Sequence, residues 1–189
     1  MFGQQQLEYL GHIISHEGVA MDPKKVVGMQ AWPQPTSLKS LRGFLGLTGC
    51  YRRFVRDYDK ISKPLTNLLK KDNFVCTLAA TESFEQLKRA MTTTPVLAMP
   101  DFNKVFVVEC DASGSRIRAI LMQEAKLIAF ISKAPSDKNL GLSTYEKELL
   151  AVVFAITKWR PYLMGQHFLV KSNYICLSIE LLHLYNKNG

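Results

Sequence analysis

Asp111 is an acidic residue at the end of an apolar run. Five of the six residues at 105–110 are apolar, mostly Val and Phe, with Pro100 upstream and Gly114 downstream. This pattern predicts a buried strand that ends in a charge. Burying a lone carboxylate is costly unless a cation or hydrogen-bond donors compensate it. Asp111 therefore indicates a metal or ligand site, with a solvated strand end as the alternative.

A second acid, Glu148, falls on the apolar face of a predicted helix. Ser143 and Glu146 have capping-box spacing, and the helix should run to about residues 159–162. Its apolar stripe consists of Tyr145, Leu149, Val152, Ile156 and Trp159. Glu148 lies inside that stripe, whereas Glu146 is used in capping. An acid on the packed side of a helix needs a compensating partner.

The elements around these acids predict a mixed sheet. The order is three strands, a helix, a strand and the start of a helix, at residues 105–110, 117–123, 127–133, 143–162, 167–172 and from Ser178 onward. Short connections make the first three strands antiparallel neighbours. A right-handed crossover then returns the fourth strand beside the first and parallel to it.

This topology brings Asp111, Glu148 and the region of Asn173 to one end of the sheet. Carboxylates that converge from a strand and its facing helix are what two divalent cations about 4 Å apart require. Such a pair of cations can activate a water and stabilise the leaving oxygen in phosphodiester hydrolysis.

The first half of the chain predicts a hairpin and several helices. Residues 7–14 read as a strand, followed by a turn and a short returning strand at 19–21. Asp22 and Pro23 then begin a helix. Two packing helices are predicted at 61–71 and 81–92, and the linker-like residues 92–101 mark a domain boundary.

A longer helix, capped by Thr36 or Ser37 and ending near Tyr58, carries a basic face. That face consists of Lys39, Arg42, Gly46, Gly49, Arg53 and Arg56. Each glycine inside a helix costs roughly 1 kcal/mol, so two among cations suit the close approach of a phosphate backbone. The alternative is a solvated basic face with glycines at a helix crossing.

Composition agrees with an anionic partner. The 189 residues carry a net charge of +8 and are 47% hydrophobic, which is enough for a substantial core. The four cysteines are widely spaced, as expected for reduced thiols rather than a zinc site or disulfides. No apolar run of 18 residues and no signal-peptide pattern occur, so we expect an intracellular protein, cytoplasmic or nuclear, without a membrane partner.

Several motifs carry a family resemblance. CDASG, AFISKA, LSTYEKELLAVVFAITKWRPYLMG and HFLVKSN resemble the RNase H domain of gypsy-type LTR retrotransposon Pol polyproteins. YLGHIISHEGV, DPKKV, SLRGFLGLTGCYRRFV and ISKPLTNLLKK are similar to the preceding parts of the same polyproteins. The resemblance implies the end of a reverse transcriptase palm at 1–35, thumb and connection helices at 36–95, and a C-terminally truncated RNase H-like domain at 96–189.

The resemblance also implies functional roles. The family holds an RNA–DNA hybrid and cuts its RNA strand with two Mg²⁺ ions. By motif matching, Asp111 and Glu148 are the first two catalytic and metal-binding acids, and Asn173 stands where the third acid is expected. The fourth acid, with the closing strand and helix, would lie beyond Gly189. The primer-contacting hairpin would include Tyr9, Leu10 and Gly11.

Three departures from the family shape the hypothesis. Asn173 is neutral, Arg116 and Arg118 replace a usually glycine-containing stretch, and the polymerase aspartate pair is absent. We therefore expect a retrotransposon-derived fragment that binds a hybrid or other nucleic acid, with impaired RNA hydrolysis. One alternative is a magnesium-dependent ribonuclease H that a partner or a longer chain completes. The other is a non-catalytic docking domain. The remainder of a Pol polyprotein is a further expected partner.

Overall fold

The computed structural model describes residues 5–70, 74–112, 116–134, 139, 141–173 and 176–180. They form two compact units. The first contains the chain up to Met99 together with Phe130–Ser132, and the second contains Pro100–Ala129 and the chain from Lys133 onward.

The first unit opens with a three-stranded antiparallel sheet. Its strands are β1 (Gln6–Tyr9), β2 (His12–Ser15) and β3 (Gly18–Met21). The prediction of one continuous strand at 7–14 is wrong, because the chain reverses at Leu10 and Gly11. Both residues have positive φ angles, +49° and +77°, which is the geometry of a two-residue hairpin turn.

Four helices complete the first unit: α1 (Pro23–Gln30), α2 (Leu38–Cys50), α3 (Tyr58–Leu68) and α4 (Leu78–Thr92). Asp22 caps α1 and Ser37 caps α2, as their residue types predict. The expected continuation of α2 to Tyr58 is wrong. The helix ends at Cys50, a short 3-10 turn follows at Arg52–Phe54, and Asp57 adopts a left-handed φ of +59°.

A tertiary contact accounts for the end of α2. Tyr51 is 3% exposed, and its hydroxyl donates a hydrogen bond of 2.9 Å to the carbonyl of Gly11 in the hairpin. The helical periodicity of residues 51–58 carries no information about this partner, which is 40 positions away in sequence.

One face of α2 packs into the core. Leu41 and Phe44 are fully buried, and the Phe44 and Phe84 ring centroids are 4.5 Å apart, which joins α2 to α4. Aromatic pairs at this separation add to the stabilisation from burial alone. The opposite face of α2 is left to solvent.

In the second unit, a five-stranded mixed sheet has the order β6-β5-β4-β7-β8. Its strands are β4 (Phe106–Asp111), β5 (Ile117–Gln123), β6 (Lys126–Lys133), β7 (His167–Lys171) and β8 (Cys176–Glu180). As predicted, β4 is antiparallel to β5 and parallel to β7.

The outer strand β8 corrects two expectations. A helix was predicted from Ser178, but Ser178 lies in β8, which pairs antiparallel with β7. The strand beside β7, which the resemblance places beyond Gly189, is therefore supplied within this chain. Hydrogen bonding along an open strand edge outweighs the helical pattern here. The rest of the predicted helix, at 181–189, lies outside the described residues.

Helix α5 (Thr144–Lys158) packs on β4 and β5 and is followed by the short α6 (Arg160–Leu163). The predicted capping box of Ser143 and Glu146 is present. The predicted apolar stripe is only partly correct. Tyr145 and Leu149 are exposed, and the buried face consists of Glu148, Ala151, Val152 and Ala155. The small alanines allow this face to lie close to the sheet.

In the described parts of the chain, no helix has the length and apolar character needed to cross a bilayer.

Gly18 is the glycine whose replacement should cost most. Its φ is +136°, and an added Cβ would lie 2.1 Å from the carbonyl oxygen of Leu97. That oxygen accepts a 2.7 Å hydrogen bond from Val19 and joins β3 to residue 97. We expect Gly18→Ala to lower the free energy of unfolding by at least about 2 kcal/mol in urea titrations followed by circular dichroism.

The matched control is Gly28→Ala in α1, where an added Cβ meets no atom within 4 Å. It should raise the free energy of unfolding by about 0.5–1 kcal/mol. Equal effects of the two substitutions would contradict the role given to Gly18.

Candidate nucleic-acid interface and acidic site

Two acidic residues, Asp111 and Glu148, lie near the end of β4. Asp111 is the last residue of the strand, and Ala112, the next residue, donates its backbone N–H to Oε1 of Glu148 over 3.4 Å. Glu148 projects from α5 and is only 1% exposed. The structure thus brings Asp111 and Glu148 to the same end of the sheet, where the sequence predicts them.

The second oxygen of Glu148 is buried without compensation. Among the described residues, Oε2 has no hydrogen-bond partner. Burying a carboxylate oxygen without a hydrogen-bond partner costs free energy. A cation or a hydrogen-bond donor next to Oε2 would therefore lower the free energy of the folded state.

The pKa of the Cys110 thiol is raised by its surroundings at this end of β4. Burial and the negative charge of Glu148 raise the pKa of Cys110 to about 12. The thiol is therefore neutral at physiological pH, and Cys110 serves as an apolar core residue.

Asp111 is paired with an arginine. Asp111 and Arg118 are register partners across the β4–β5 ladder, and an Arg118 guanidinium nitrogen lies 2.5 Å from Oδ2 of Asp111. The two side chains are 37% and 29% exposed. An arginine is permanently charged, so the carboxylate is offset by a cation that belongs to the protein.

Sequence reasoning identified Arg118 only as a departure from the family and missed this contact. The sequence feature that could have predicted the contact is the short connection between β4 and β5. It fixes an antiparallel register in which Asp111, the last residue of β4, faces the beginning of β5.

Asn173 lies at the same end of the sheet. The parallel register places Lys171 beside Glu109, so Asn173 follows β7 where Asp111 ends β4. Its side chain is exposed. An amide can offer one oxygen to a cation but contributes no charge.

These residues do not fit a centre for two divalent cations. One carboxylate is ion-paired with Arg118, and the position of the third acid is neutral. Among the described residues, no group of three or more His, Cys, Asp or Glu side chains could hold a metal ion.

A basic surface is present on α2. Lys39, Arg42 and Gly46 are exposed on the side opposite Leu41 and Phe44. A Cβ at Gly46 would meet nothing within 4 Å, and one at Gly49 would make only an ordinary contact of 3.7 Å with Tyr58. Packing inside the first unit therefore requires neither glycine, which disfavours the alternative of a helix crossing.

Arg53 and Arg56 do not continue this helical face. Because α2 ends at Cys50, Arg53 lies in the 3-10 turn with its guanidinium 5.1 Å from the ring centroid of Phe54. Arg56 is exposed in the segment before α3. The predicted six-residue stripe on one helix is corrected to an α2 surface of Lys39, Arg42, Gly46 and Gly49.

The hairpin between β1 and β2 has an exposed tip on a fixed base. Tyr9 is 59% and Leu10 79% exposed. The carbonyl of Gly11 accepts hydrogen bonds from the hydroxyl of Tyr51 at 2.9 Å and the N–H of Asp22 at 3.1 Å. The tip is held in place while its apolar side chains face outward.

Comparison with known proteins finds one family over the second half of the chain. The family described as "RNase H-like domain found in reverse transcriptase" matches residues 77–170. The match begins just before α4 and includes β4 to β7, with Asp111, Arg118 and Glu148.

Similar proteins extend the match into the first half. The Pol polyprotein of transposon 297 from Drosophila melanogaster is 42% identical over 175 residues, and that of transposon gypsy from the same fly is 35% identical over 177 residues. These alignments cover 92% and 87% of the chain but only 16% and 17% of the polyproteins, so the chain spans about a sixth of their length.

A solved structure shows the same fold. A foamy viral protease-reverse transcriptase in complex with an RNA/DNA hybrid matches with a TM-score of 0.86 and 26% identity, over 92% of this chain and 24% of that one. The predicted mixed α/β fold and the predicted family are thus both confirmed. The chain belongs to the RNase H-like reverse transcriptase family of retrotransposon Pol polyproteins.

Proposed function

We propose that this chain binds an RNA–DNA hybrid or a related nucleic acid through the basic surface of α2 and hydrolyses the RNA strand poorly. The observation that carries the binding proposal is the open space above Gly46, with the exposed side chains of Lys39 and Arg42 on the same side of α2 towards its N-terminus. A position without a side chain next to cations allows a phosphate backbone to come close.

The charge of α2 supports this proposal. Lys39 lies in the first turn of α2, where no acidic residue is present, and Arg42 follows on the same side. The positive end of the helix dipole adds to these two charges, so the exposed surface attracts phosphates. The net charge of +8 acts in the same direction over longer distances.

The acidic site supports poor hydrolysis. Two-cation hydrolysis needs several anionic ligands, whereas Asn173 supplies none and Arg118 already neutralises Asp111. We therefore propose that Mg²⁺ binds weakly at this end of the sheet.

One observation favours an active nuclease as the second candidate. Oε2 of Glu148 has no partner among the described residues, and a cation would satisfy it. In that case a partner chain or further residues of a longer polyprotein would complete the acid set.

The setting we propose is intracellular, cytoplasmic or nuclear, beside the remainder of a Pol polyprotein. Cys50, Cys76 and Cys110 are free thiols, which suits a reducing compartment.

The binding surface is tested with the double substitution of Lys39 and Arg42 by Gln. Each lost phosphate contact should reduce the slope of log affinity against log salt by about 0.7–0.9, so the pair should reduce it by roughly 1.5. Fluorescence anisotropy with a labelled hybrid at several salt concentrations measures this slope. The control Arg89→Gln, which removes an exposed charge on α4, should lower the slope less. Absence of binding at every salt concentration would favour the docking domain instead.

Gly46→Ala separates stability from binding. The new methyl group meets no protein atom, so the free energy of unfolding should rise by about 0.5–1 kcal/mol. The same methyl group occupies the space we assign to a phosphate, so hybrid affinity should fall several-fold. Gly28→Ala should give the stability gain without the loss of affinity. Unchanged affinity of Gly46→Ala would rule out close approach at this glycine.

Hydrolysis is tested with a labelled RNA–DNA hybrid and Mg²⁺. The native chain should cut at close to the background rate, and Asn173→Asp should increase cutting because it restores an anionic ligand. Asn67→Asp on α3 adds the same charge elsewhere and should have no effect. Strong cutting by the native chain that Asp111→Asn abolishes would establish the nuclease.

A further inference from the structure

We propose that Arg118 is a fixed internal cation at the end of β4 that balances the charge of Asp111 and keeps divalent metal ions away from it. This inference rests on the proposed impairment of RNA hydrolysis and gives it a cause in a named residue.

The sheet itself holds the arginine in place. Arg118 is the register partner of Asp111, so the backbone ladder sets the two residues directly opposite each other. Ile117 and Ala119, on either side of Arg118, are 3% and 2% exposed and anchor this part of β5 in the core. The 2.5 Å contact between the guanidinium and Oδ2 of Asp111 therefore forms with little loss of conformational entropy of the Arg118 side chain.

The charges exclude a second cation. Asp111, Glu148 and Arg118 together carry one net negative charge, and a guanidinium does not lose its proton at physiological pH. A divalent ion on Asp111 would have to displace the arginine or remain beside a permanent positive charge. Either event costs free energy, and only the attraction of the ion to the two carboxylates would offset that cost.

The surroundings of Glu148 indicate that a divalent ion should bind once Arg118 is removed. Its Oε2 has no partner among the described residues, and its Oε1 is held by the N–H of Ala112, next to Asp111. Without the guanidinium, the end of β4 would lose the positive charge that faces Asp111. The substitution Arg118→Gln should therefore create a divalent-ion site from residues already present.

The test uses Mn²⁺ as the probe and the full ¹⁵N-labelled chain without nucleic acid. Paramagnetic broadening of the Ala112 amide signal reports an ion bound at the end of β4. Arg118→Gln should bind Mn²⁺ at least about tenfold more tightly than the native chain, as expected for removing one nearby positive charge. Asp111→Asn in the Arg118→Gln background should abolish the gain.

Arg116→Gln is the matched control, because it removes an equal charge two residues away on the same segment. A gain as large as that of Arg118→Gln would overturn the proposal, since only the net charge would then matter. A folded Arg118→Gln chain without any gain would overturn it as well.

The native chain supplies a measurement that depends on no variant. Selective broadening of Ala112 in the native protein, with affinity equal to that of a typical carboxylate site, would show that Arg118 does not exclude the ion and would overturn the proposal. Hybrid binding and cutting are measured separately on the same samples. Loss of hybrid binding would refute the proposed function and leave the Mn²⁺ result standing.

Discussion

Burial of the Glu148 carboxylate near the end of β4 is the constraint on which the second unit depends. Glu148 lies in the interface between α5 and the sheet, where an apolar residue would pack without cost. Its Oε1 accepts the backbone N–H of Ala112, whereas its Oε2 has no hydrogen-bond partner among the described residues. The partly exposed Asp111 pairs with Arg118 through Oδ2. The capping box at Ser143 and the small residues Ala151 and Ala155 bring α5 close enough to the sheet for this arrangement.

The first unit divides burial and charge between two sides of one helix. Because Leu41 and Phe44 bury one side of α2 against the core, Lys39 and Arg42 are left together on the other. Burial of Tyr51 against the hairpin ends the helix and separates Arg53 and Arg56 from this surface. The same contact fixes the base of the hairpin, so a single tyrosine determines both the length of α2 and the position of the exposed tip.

Family membership accounts for the fold around the acidic residues, whereas individual residues account for the charges there. The solved relative shares the fold, and the residues matched by the family, 77–170, include Asp111, Arg118 and Glu148. Arg118 is permanently charged and pairs with Asp111, and Asn173 is neutral. Both residues lie at the same end of one sheet, although they belong to different parts of the chain.

The sequence by itself indicated the family through the resemblance of its motifs, and it determined the order of elements around β4 and α5 and the placement of Asp111 and Glu148 at one end of the sheet. The order and the placement follow from local signals, namely strand patterning, a capping box and the handedness of the crossover. Only the tertiary structure decided that α2 stops at Cys50, that Ser178 belongs to a strand, and that Arg118 binds Asp111. Each of these depends on a partner distant in sequence or on a strand register, and local periodicity specifies neither.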